Sequence, residues 1–282
     1  MNYEPAAWRK AYREDGYVIV PDLIDPRTLA LLRERLDRIT RDPSALSPDL
    51  RGKLFFERQH VANNPKITDI TPEECGDSVR QIEDLALFDS AFAELICYPP
   101  LLDVLEVLFE SDEFGFYLLQ ARPKAARFGN GIMNFHRDTP SEQFTSADTA
   151  TALLFLDEVT PKNGPTVLAR GSQRVSDEEA GRKCWLDVAE EELNSESLVE
   201  ALCPAGAGLF FSSKIIHAAR HNRSARPRRT ILSGWAGPGV LPTSAARLPY
   251  QGLRPRSKTA AREKQVRMSF PHLFVGESMK AN

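Results

Sequence analysis

The feature that most constrains the fold is a series of short apolar segments that begins near residue 114. Each segment is rich in β-branched and aromatic residues, and turn residues such as the Asn-Gly-Pro of 163–165 separate them. The segments read FGFYLLQAR, GIMNFHRD, TATALLFLDEV, PTVLARGS, GAGLFFSSKIIHAA and RRTILSGWAG. Many short strands at such spacing are typical of an antiparallel sandwich or barrel. The sequence therefore predicts a β core over residues 113–240.

Helical patterns occupy the chain before this core. After a strand-like YVIV, Asp25 is a good N-cap and Pro26 suits the first helical position. An apolar stripe follows, formed by Leu29, Leu32, Leu36 and Ile39. A second helical region reads AFAELICYPPLLDVLEVLF, whereas residues 41–80 show no periodicity and predict a long irregular segment. Helices followed by strands indicate an α+β fold with the helices packed on the sheet.

The predicted organisation is a single domain over residues 1–282. Its helical N-terminal part covers about 1–112, its core about 113–240 and a basic, loop-like C-terminal extension 241–282. The role of residues 250–270 in that extension, like that of 41–80, is left open by the sequence.

Composition and charge exclude several functional classes. The chain has 282 residues, and its 36 basic against 39 acidic side chains give a net charge of −3. This balance predicts no attraction to nucleic acid or to anionic membranes. No apolar run approaches the roughly 18 residues that a membrane span needs. Charged residues at the N-terminus stand where a signal peptide needs an apolar core, so a cytoplasmic location is expected.

The stretch NFHRDTP carries the first chemical signal. His136 and Asp138 are two residues apart, and alternation in a strand would place both side chains on one face. An isolated His-x-Asp also occurs at ordinary strand ends, where the imidazole makes a hydrogen bond and the carboxylate is solvated. His217, at the end of a later apolar strand, offers a third ligand if a jelly roll folds the sheet over. Two histidines and one carboxylate are typical of non-haem Fe(II) oxygenases; zinc is the alternative metal.

Five arginines lie within the twelve residues after His217, at positions 220, 223, 226, 228 and 229. A planar guanidinium binds a carboxylate through two parallel hydrogen bonds, and an Fe(II) oxygenase that consumes 2-oxoglutarate needs such a group. Arg226, Arg228 and Arg229 all lie near the start of the last strand. A shift of one residue moves a side chain to the opposite face, so the choice among them stays open.

At this point the sequence resembles the phytanoyl-CoA dioxygenase family of Fe(II)/2-oxoglutarate oxygenases. The resemblance runs from DGYVIVPDLID near the N-terminus to the strand around Trp235. The matching motif residues are His136 and Asp138; Asn163, Gly164, Pro165, Gly171 and Ser172; and His217, Asn222, Ser224 and Arg228. Arg137, between the two ligands, and Ala169-Arg170, before the Gly-Ser pair, depart from the usual pattern.

The resemblance implies a double-stranded β-helix (a jelly-roll, cupin-like core) with N-terminal helices on one face. It implies that His136, Asp138 and His217 bind Fe(II), that Arg228 holds 2-oxoglutarate and that Gln120 contacts the same co-substrate. The implied reaction uses O2 to hydroxylate or otherwise oxidise a small molecule, with release of succinate and CO2. Because the carboxylate of Asp138 is present, we expect oxygen transfer and not halogenation.

The sequence constrains the substrate least. Arg127, Asn134, Arg137 and Trp235 are candidate pocket residues because they lie close to the ligands in sequence. Arg127 and Arg137 would suit an anionic substrate, although exposed arginines are common on any surface. One alternative function is a non-catalytic jelly-roll binding protein. A second is a nucleic-acid oxygenase, which the arginine run suggests but which the absence of interleaved aromatic residues disfavours.

Overall fold

The computed structural model describes residues 5–129, 134–138, 144–176, 188–241 and 243. Its helices are α1 Pro5–Asp15, α2 Pro26–Arg41, α3 Pro48–Arg51, α4 Glu57–Ala62, α5 Pro72–Cys75, α6 Ser90–Glu94 and α7 Pro99–Phe109. Its strands are β1 Tyr17–Val20, β2 Leu54–Phe56, β3 Val79–Ile82, β4 Gly115–Lys124, β5 Thr149–Phe155, β6 Thr166–Ala169, β7 Leu198–Glu200, β8 Gly208–Ser212, β9 His217–Ala219 and β10 Arg228–Ala236. None of the helices in these ranges has the length and apolar character to cross a bilayer.

The strands form two antiparallel sheets. The larger has the order β1-β8-β5-β10-β4-β3-β2, and the smaller has the order β7-β6-β9. In the larger sheet β10 is paired along most of its length, with β4 on one side and β5 on the other. The predicted jelly roll with preceding helices is confirmed.

Alternation along the central strands creates two separate apolar layers. Ala152 and Leu154 of β5, with Ile231 and Trp235 of β10, pack in one large core with buried side chains of α2, α6 and α7. The intervening Leu153 and Phe155 pack on the opposite face with Leu168 of β6 and Leu209 of β8. Burying both faces of β5 explains why its apolar part, ALLF, does not alternate with polar residues. The second face lies between the two sheets.

The predicted long helix and its cap are confirmed. The Asp25 carboxylate accepts hydrogen bonds from the backbone N–H groups of Arg27 and Thr28, each at 3.0 Å. Leu32 and Leu36 are fully buried against the sheet. The helix therefore starts where the cap satisfies two backbone donors that lack an intrahelical acceptor.

The prediction of an irregular segment over residues 41–80 was wrong. This region contains α3, β2, α4, α5 and the start of β3, and β2 and β3 extend the large sheet beyond β4. Its helices and strands are three to six residues long. Elements this short do not produce a readable period of 2 or 3.6, although Ser47 and Thr71 cap α3 and α5 as their residue types favour.

The segment GIMNFHRD is not a regular strand in the part that the structure describes. Phe135 forms an isolated bridge with Val188, and His136 forms one with His217. The first residues of this segment, 177–187 of the acidic insertion and 244–282 of the predicted C-terminal extension lie outside the described residues.

Candidate active site

A backbone bridge places two histidines side by side. The N–H of His136 donates to the carbonyl oxygen of His217 at 3.0 Å, and the N–H of His217 donates back to that of His136 at 2.9 Å. Directly opposed residues of an antiparallel pair project to the same side. The two imidazole ring centres are accordingly 4.4 Å apart, although 80 residues separate them in the chain.

Asp138 completes the group from one side. Its Oδ1 lies 3.6 Å from Nε2 of His136 and 3.7 Å from Nε2 of His217. Its Oδ2 accepts a hydrogen bond from the Thr151 hydroxyl at 3.1 Å, and its backbone N–H donates to the Ser213 carbonyl at 3.1 Å. One ligand atom from each of the three residues lies within 4.8 Å of the other two.

Backbone carbonyls set the tautomers of both imidazoles. Nδ1 of His136 lies 3.1 Å from the Asn134 oxygen, and Nδ1 of His217 lies 3.2 Å from the Ile215 oxygen. A carbonyl only accepts, so each Nδ1 carries a proton, and in the neutral form of either ring Nε2 would keep the lone pair that binds a metal. Burial lowers the pKa of His217 to about 4, against the opposing effect of the Asp138 carboxylate. His217 is therefore neutral at neutral pH, as a metal ligand must be.

This donor set fits ferrous iron. Ligand atoms about 2.0–2.2 Å from a common ion at right angles are about 3 Å apart, so small side-chain rotations suffice to close distances of 3.6–3.7 Å. Two imidazoles and one carboxylate leave coordination positions open for co-substrates. The three side chains line a cavity of about 140 Å³ between the sheets.

Cations from several strands surround this cavity. Its wall contains Arg80, Arg122, Lys124, Arg228, His136, Asp138 and His217, with apolar and hydroxyl groups from Leu153, Thr166, Phe211, Ala218, Ala219, Thr230 and Leu232. Four of these side chains are basic and one is a carboxylate. The cavity therefore suits anionic ligands.

Arg228 and Lys124 form the buried end of this cationic wall. Arg228 donates to the Gly164 carbonyl at 2.9 Å, to the Asn163 carbonyl at 3.2 Å and to the Thr230 hydroxyl. Lys124 donates to the same Gly164 carbonyl at 3.0 Å and to the Arg220 carbonyl. Neither forms an ion pair with a carboxylate among the described residues. Two adjacent buried cations held by carbonyl groups fit the distal carboxylate of 2-oxoglutarate.

The pKa shifts of Arg228 and Lys124 support a carboxylate site at this end of the cavity. Burial lowers the pKa of Arg228 to about 10, so the guanidinium stays charged at neutral pH. Burial lowers the pKa of Lys124 well below its usual value, and the nearby charge of Arg228 lowers it further. An anion between them would offset both effects.

The turn residues of the motif hold this end of the pocket in place. Gly164 has a φ of 83°, and a Cβ there would lie 2.6 Å from the Arg220 oxygen and 2.9 Å from Nζ of Lys124. The Asn222 amide donates to the Lys124, Ala125 and Arg226 carbonyls at 3.2, 3.0 and 2.8 Å. These contacts join the end of β4 to the loop that delivers Arg228.

The three rival arginines occupy different environments. Arg228 lines the cavity and is 2% exposed. Arg226 is exposed, and Arg229 projects to the opposite face, where it pairs with Asp157 at 2.7 Å and Asp37 at 2.8 Å. Of these three, Arg228 alone is placed to meet a ligand in the cavity.

Gln120 lies on the same face of β4 as Arg122 and Lys124. Its Oε1 accepts a hydrogen bond from Arg122 at 3.3 Å, and it is not among the residues of the cavity wall. A direct contact between Gln120 and 2-oxoglutarate stays a prediction.

The residues predicted to contact substrate do not gather around the cavity. Arg137 is fully buried, and its guanidinium donates to the Ser172 carbonyl at 2.6 Å and the Val175 carbonyl at 3.3 Å. Trp235 is fully buried in the core shared with the helices and donates to the Ser233 hydroxyl at 2.9 Å. Arg137 thus braces the Gly-Ser loop beneath the ligands, and Trp235 packs on the far face of the sheet.

Arg127 and Asn134 are also outside the cavity wall. Arg127 is an exposed turn residue with a φ of 71°, and its backbone N–H donates to the Ser224 carbonyl at 2.8 Å. The Asn134 side chain accepts a hydrogen bond from Lys66 at 3.1 Å, while its backbone oxygen meets His136. Nearness in sequence to the ligands therefore did not identify the residues that line the pocket.

Sequence reasoning missed the basic residues Arg80, Arg122 and Lys124. Two of them carried a readable signal: Gln120, Arg122 and Lys124 alternate along one strand, so they share the face already assigned to Gln120. No sequence pattern pointed to Arg80, because its strand begins in the region predicted to be irregular.

Known proteins resemble this chain over most of its length. The model of the family described as phytanoyl-CoA dioxygenase (PhyH) matches residues 12–230. The Fe(II)/2-oxoglutarate-dependent dioxygenase nvfF of Aspergillus novofumigatus is 26% identical over 231 residues, which are 78% of this chain and 67% of that protein. The L-proline trans-4-hydroxylase of Streptomyces griseoviridis is 23% identical over 263 residues, 85% of this chain and 89% of that protein.

A solved structure shares the fold. The crystal structure of EctD from S. alaskensis with 2-oxoglutarate and 5-hydroxyectoine superposes with a TM-score of 0.64 at 21% identity. The match covers 84% of this chain and 78% of that one.

Proposed function

This chain belongs to the phytanoyl-CoA dioxygenase family, and we propose that it hydroxylates a small organic molecule with His136, Asp138 and His217 as iron ligands. The chain is an Fe(II)/2-oxoglutarate-dependent dioxygenase. The observation that carries the proposed ligand set is the convergence of two Nε2 atoms and one carboxylate, with each Nδ1 held by a backbone carbonyl.

Ferrous iron at these ligands would supply the redox centre at which O2 and 2-oxoglutarate are consumed to give succinate and CO2. Arg228, with Lys124 beside it, binds the distal carboxylate of 2-oxoglutarate. Thr151 orients the Asp138 carboxylate through its hydroxyl. Leu153 and Phe211 line the cavity with apolar surface that excludes water from the reaction. The presence of the Asp138 carboxylate supports oxygen transfer over halogenation.

The substrate proposed is a small anionic molecule. The name of the Streptomyces relative gives it an amino acid as substrate, which favours a small molecule here as well. The excess of cations over carboxylates in the cavity wall favours a negatively charged one.

The arginine run after His217 gives little support to nucleic-acid oxygenation. Arg220 pairs with Glu190 at 2.6 Å, Arg223 with Asp69 at 3.0 Å and Arg229 with Asp157 and Asp37. Most of its positive charge is thus balanced by carboxylates of the same chain.

We also propose that the helical part over about 1–112 and the core over about 113–240 form one domain. The largest apolar cluster draws its members from both, including Leu36 and Leu102 from helices and Leu119 and Ile231 from strands. Separating the parts would expose this shared core.

Succinate release tests the proposed function. Purified protein loaded anaerobically with Fe(II) and given 2-oxoglutarate and O2 is expected to form succinate, and removing the metal with a chelator should abolish it. A candidate substrate should raise the rate. Protein that neither binds 2-oxoglutarate in the presence of metal nor releases succinate would instead support a non-catalytic binding protein.

A further inference from the structure

Two arginines of the cavity wall have no part in the roles assigned above. Arg122 projects from β4, and Arg80 projects from β3 in the N-terminal part of the chain. Both line the cavity that also contains His136 and Asp138. They therefore lie where a second ligand, beside 2-oxoglutarate, would meet the metal site.

A β-bulge turns Arg80 toward the cavity. Phe55 pairs with Gln81 but Phe56 pairs with Val79, so Arg80 is the extra residue of the bulge. Val79 and Ile82 both pack in the helix-facing core. They are three residues apart, so strict alternation along a strand would place their side chains on opposite faces. Bulges beside active sites commonly re-aim a side chain in this way.

The one buried carboxylate near this pair lies against Arg80, and Arg122 has no paired carboxylate among the described residues. Arg80 lies 3.7 Å from Glu57, whose side chain is 1% exposed. The hydrogen bond of Arg122 within the described residues goes to the neutral Gln120 amide at 3.3 Å, and none of the carboxylates there pairs with it. Burial lowers the pKa of Arg122 to about 10, and the charge of Arg80 contributes to that lowering. Among the described residues Glu57 pairs with Arg80 and not with Arg122, so binding an anion at Arg122 would relieve the repulsion between the two arginines.

This pair is distinct from Arg228 itself, although the charges of both arginines act on Lys124. Arg228 is anchored to the Asn163–Gly164 turn and packs over the Phe155 ring, whereas the charge of Asp138 acts on Arg122. With 2-oxoglutarate held at Arg228, Arg122 remains available on the side of the iron ligands.

We propose that Arg122, supported by Arg80, binds the carboxylate of the substrate and so selects small carboxylic acids for oxidation at the adjacent metal site. This assignment rests on the proposed oxygenase function. A guanidinium presents two parallel N–H donors to a carboxylate, and a partly desolvated cavity strengthens the attraction. An amide of the same shape would leave the arginine charge uncompensated and should be rejected.

A matched ligand panel tests the proposal without turnover. Protein loaded with Co(II) and 2-oxoglutarate is titrated calorimetrically with small amino and cyclic carboxylic acids, L-proline among them, and with the corresponding primary amides. Wild-type protein is expected to bind members of the acid series and to bind their amides at least about ten-fold more weakly. Arg122→Gln should weaken binding of those acids by about 10- to 100-fold.

Controls separate this proposal from the function on which it rests. Arg223→Gln, an exposed arginine paired with Asp69, should bind the acids like wild type. Arg122→Met provides a second variant should Arg122→Gln fold poorly, and the affinity for 2-oxoglutarate should stay within about two-fold in both. Failure of wild-type protein to bind 2-oxoglutarate contradicts the oxygenase function itself. If wild-type protein binds 2-oxoglutarate, three results would overturn the Arg122 proposal. The first is equal affinity for the acids and their amides, and the second is that no acid binds wild type more tightly than the Arg122 variants. The third is loss of 2-oxoglutarate binding in the Arg122 variants.

Discussion

Replacing His217 by alanine is expected to reduce iron-dependent succinate release by roughly 100-fold or more, since loss of residues that only orient ligands already costs about 10- to 100-fold. The variant removes one of the three proposed donors, and the bridge that places His136 opposite residue 217 is made by backbone atoms. The fold should therefore survive while metal binding is lost. The measurement is the succinate rate together with bound metal per chain.

His221→Ala is the matched control, because this half-buried histidine lies four residues away and outside the cavity wall. It should keep metal and activity near the wild-type level. Circular dichroism of both variants checks that the fold is intact. Full metal binding and full activity in His217→Ala would contradict the proposed ligand set.

Replacing Arg228 by lysine is expected to raise the KM for 2-oxoglutarate by about 10- to 100-fold, because lysine keeps the charge but loses the paired donors that grip a carboxylate. The smaller side chain also gives up the contacts of the guanidinium with the Asn163 and Gly164 carbonyls. The KM is measured at saturating metal and O2, with equilibrium binding of 2-oxoglutarate to the Co(II) protein as a second readout.

Arg229→Lys tests the alternation on which this assignment rests. Its side chain lies on the opposite face with Asp157 and Asp37, so the substitution should lower the free energy of unfolding by about 1–3 kcal/mol and leave the KM unchanged. The reverse pattern, with the KM raised by Arg229→Lys and unaffected by Arg228→Lys, would move the carboxylate site to the other arginine.

The fold was largely readable from the sequence, because its signals are long and regular. The 16 residues of α2 carry a cap and a full apolar stripe, and β4, β5 and β10 span seven to ten residues each. Elements of this length show a clear period of hydrophobic residues in their own sequence. The short helices and strands between 43 and 82 show no such period, because their position depends on pairing with β4 and on packing in the core.

The proposed ligand set could be chosen from residue types, whereas the residues of the pocket wall could not. His136, Asp138 and His217 could be singled out because few side chains bind iron and the chain has five histidines. Pocket residues were sought near the proposed ligands in sequence, yet the Arg137 guanidinium donates to the Ser172 and Val175 carbonyls outside the cavity. The cations that do line it come from β3, β4 and β10, which the sheet brings together from distant parts of the chain.

The amino-acid composition also did not predict the positive charge of the pocket. The chain is slightly acidic overall, yet the cavity concentrates four basic side chains from three strands. Net charge averages over the surface, and it carries no information about which side chains the fold turns inward.

The central claim is tested most directly by a crystal structure of the wild-type protein grown anaerobically with Fe(II) and 2-oxoglutarate. We predict one iron bound by Nε2 of His136, a carboxylate oxygen of Asp138 and Nε2 of His217, with the distal carboxylate of 2-oxoglutarate paired to Arg228. Iron bound at other residues, or imidazoles of 136 and 217 that do not share the ion, would contradict the account.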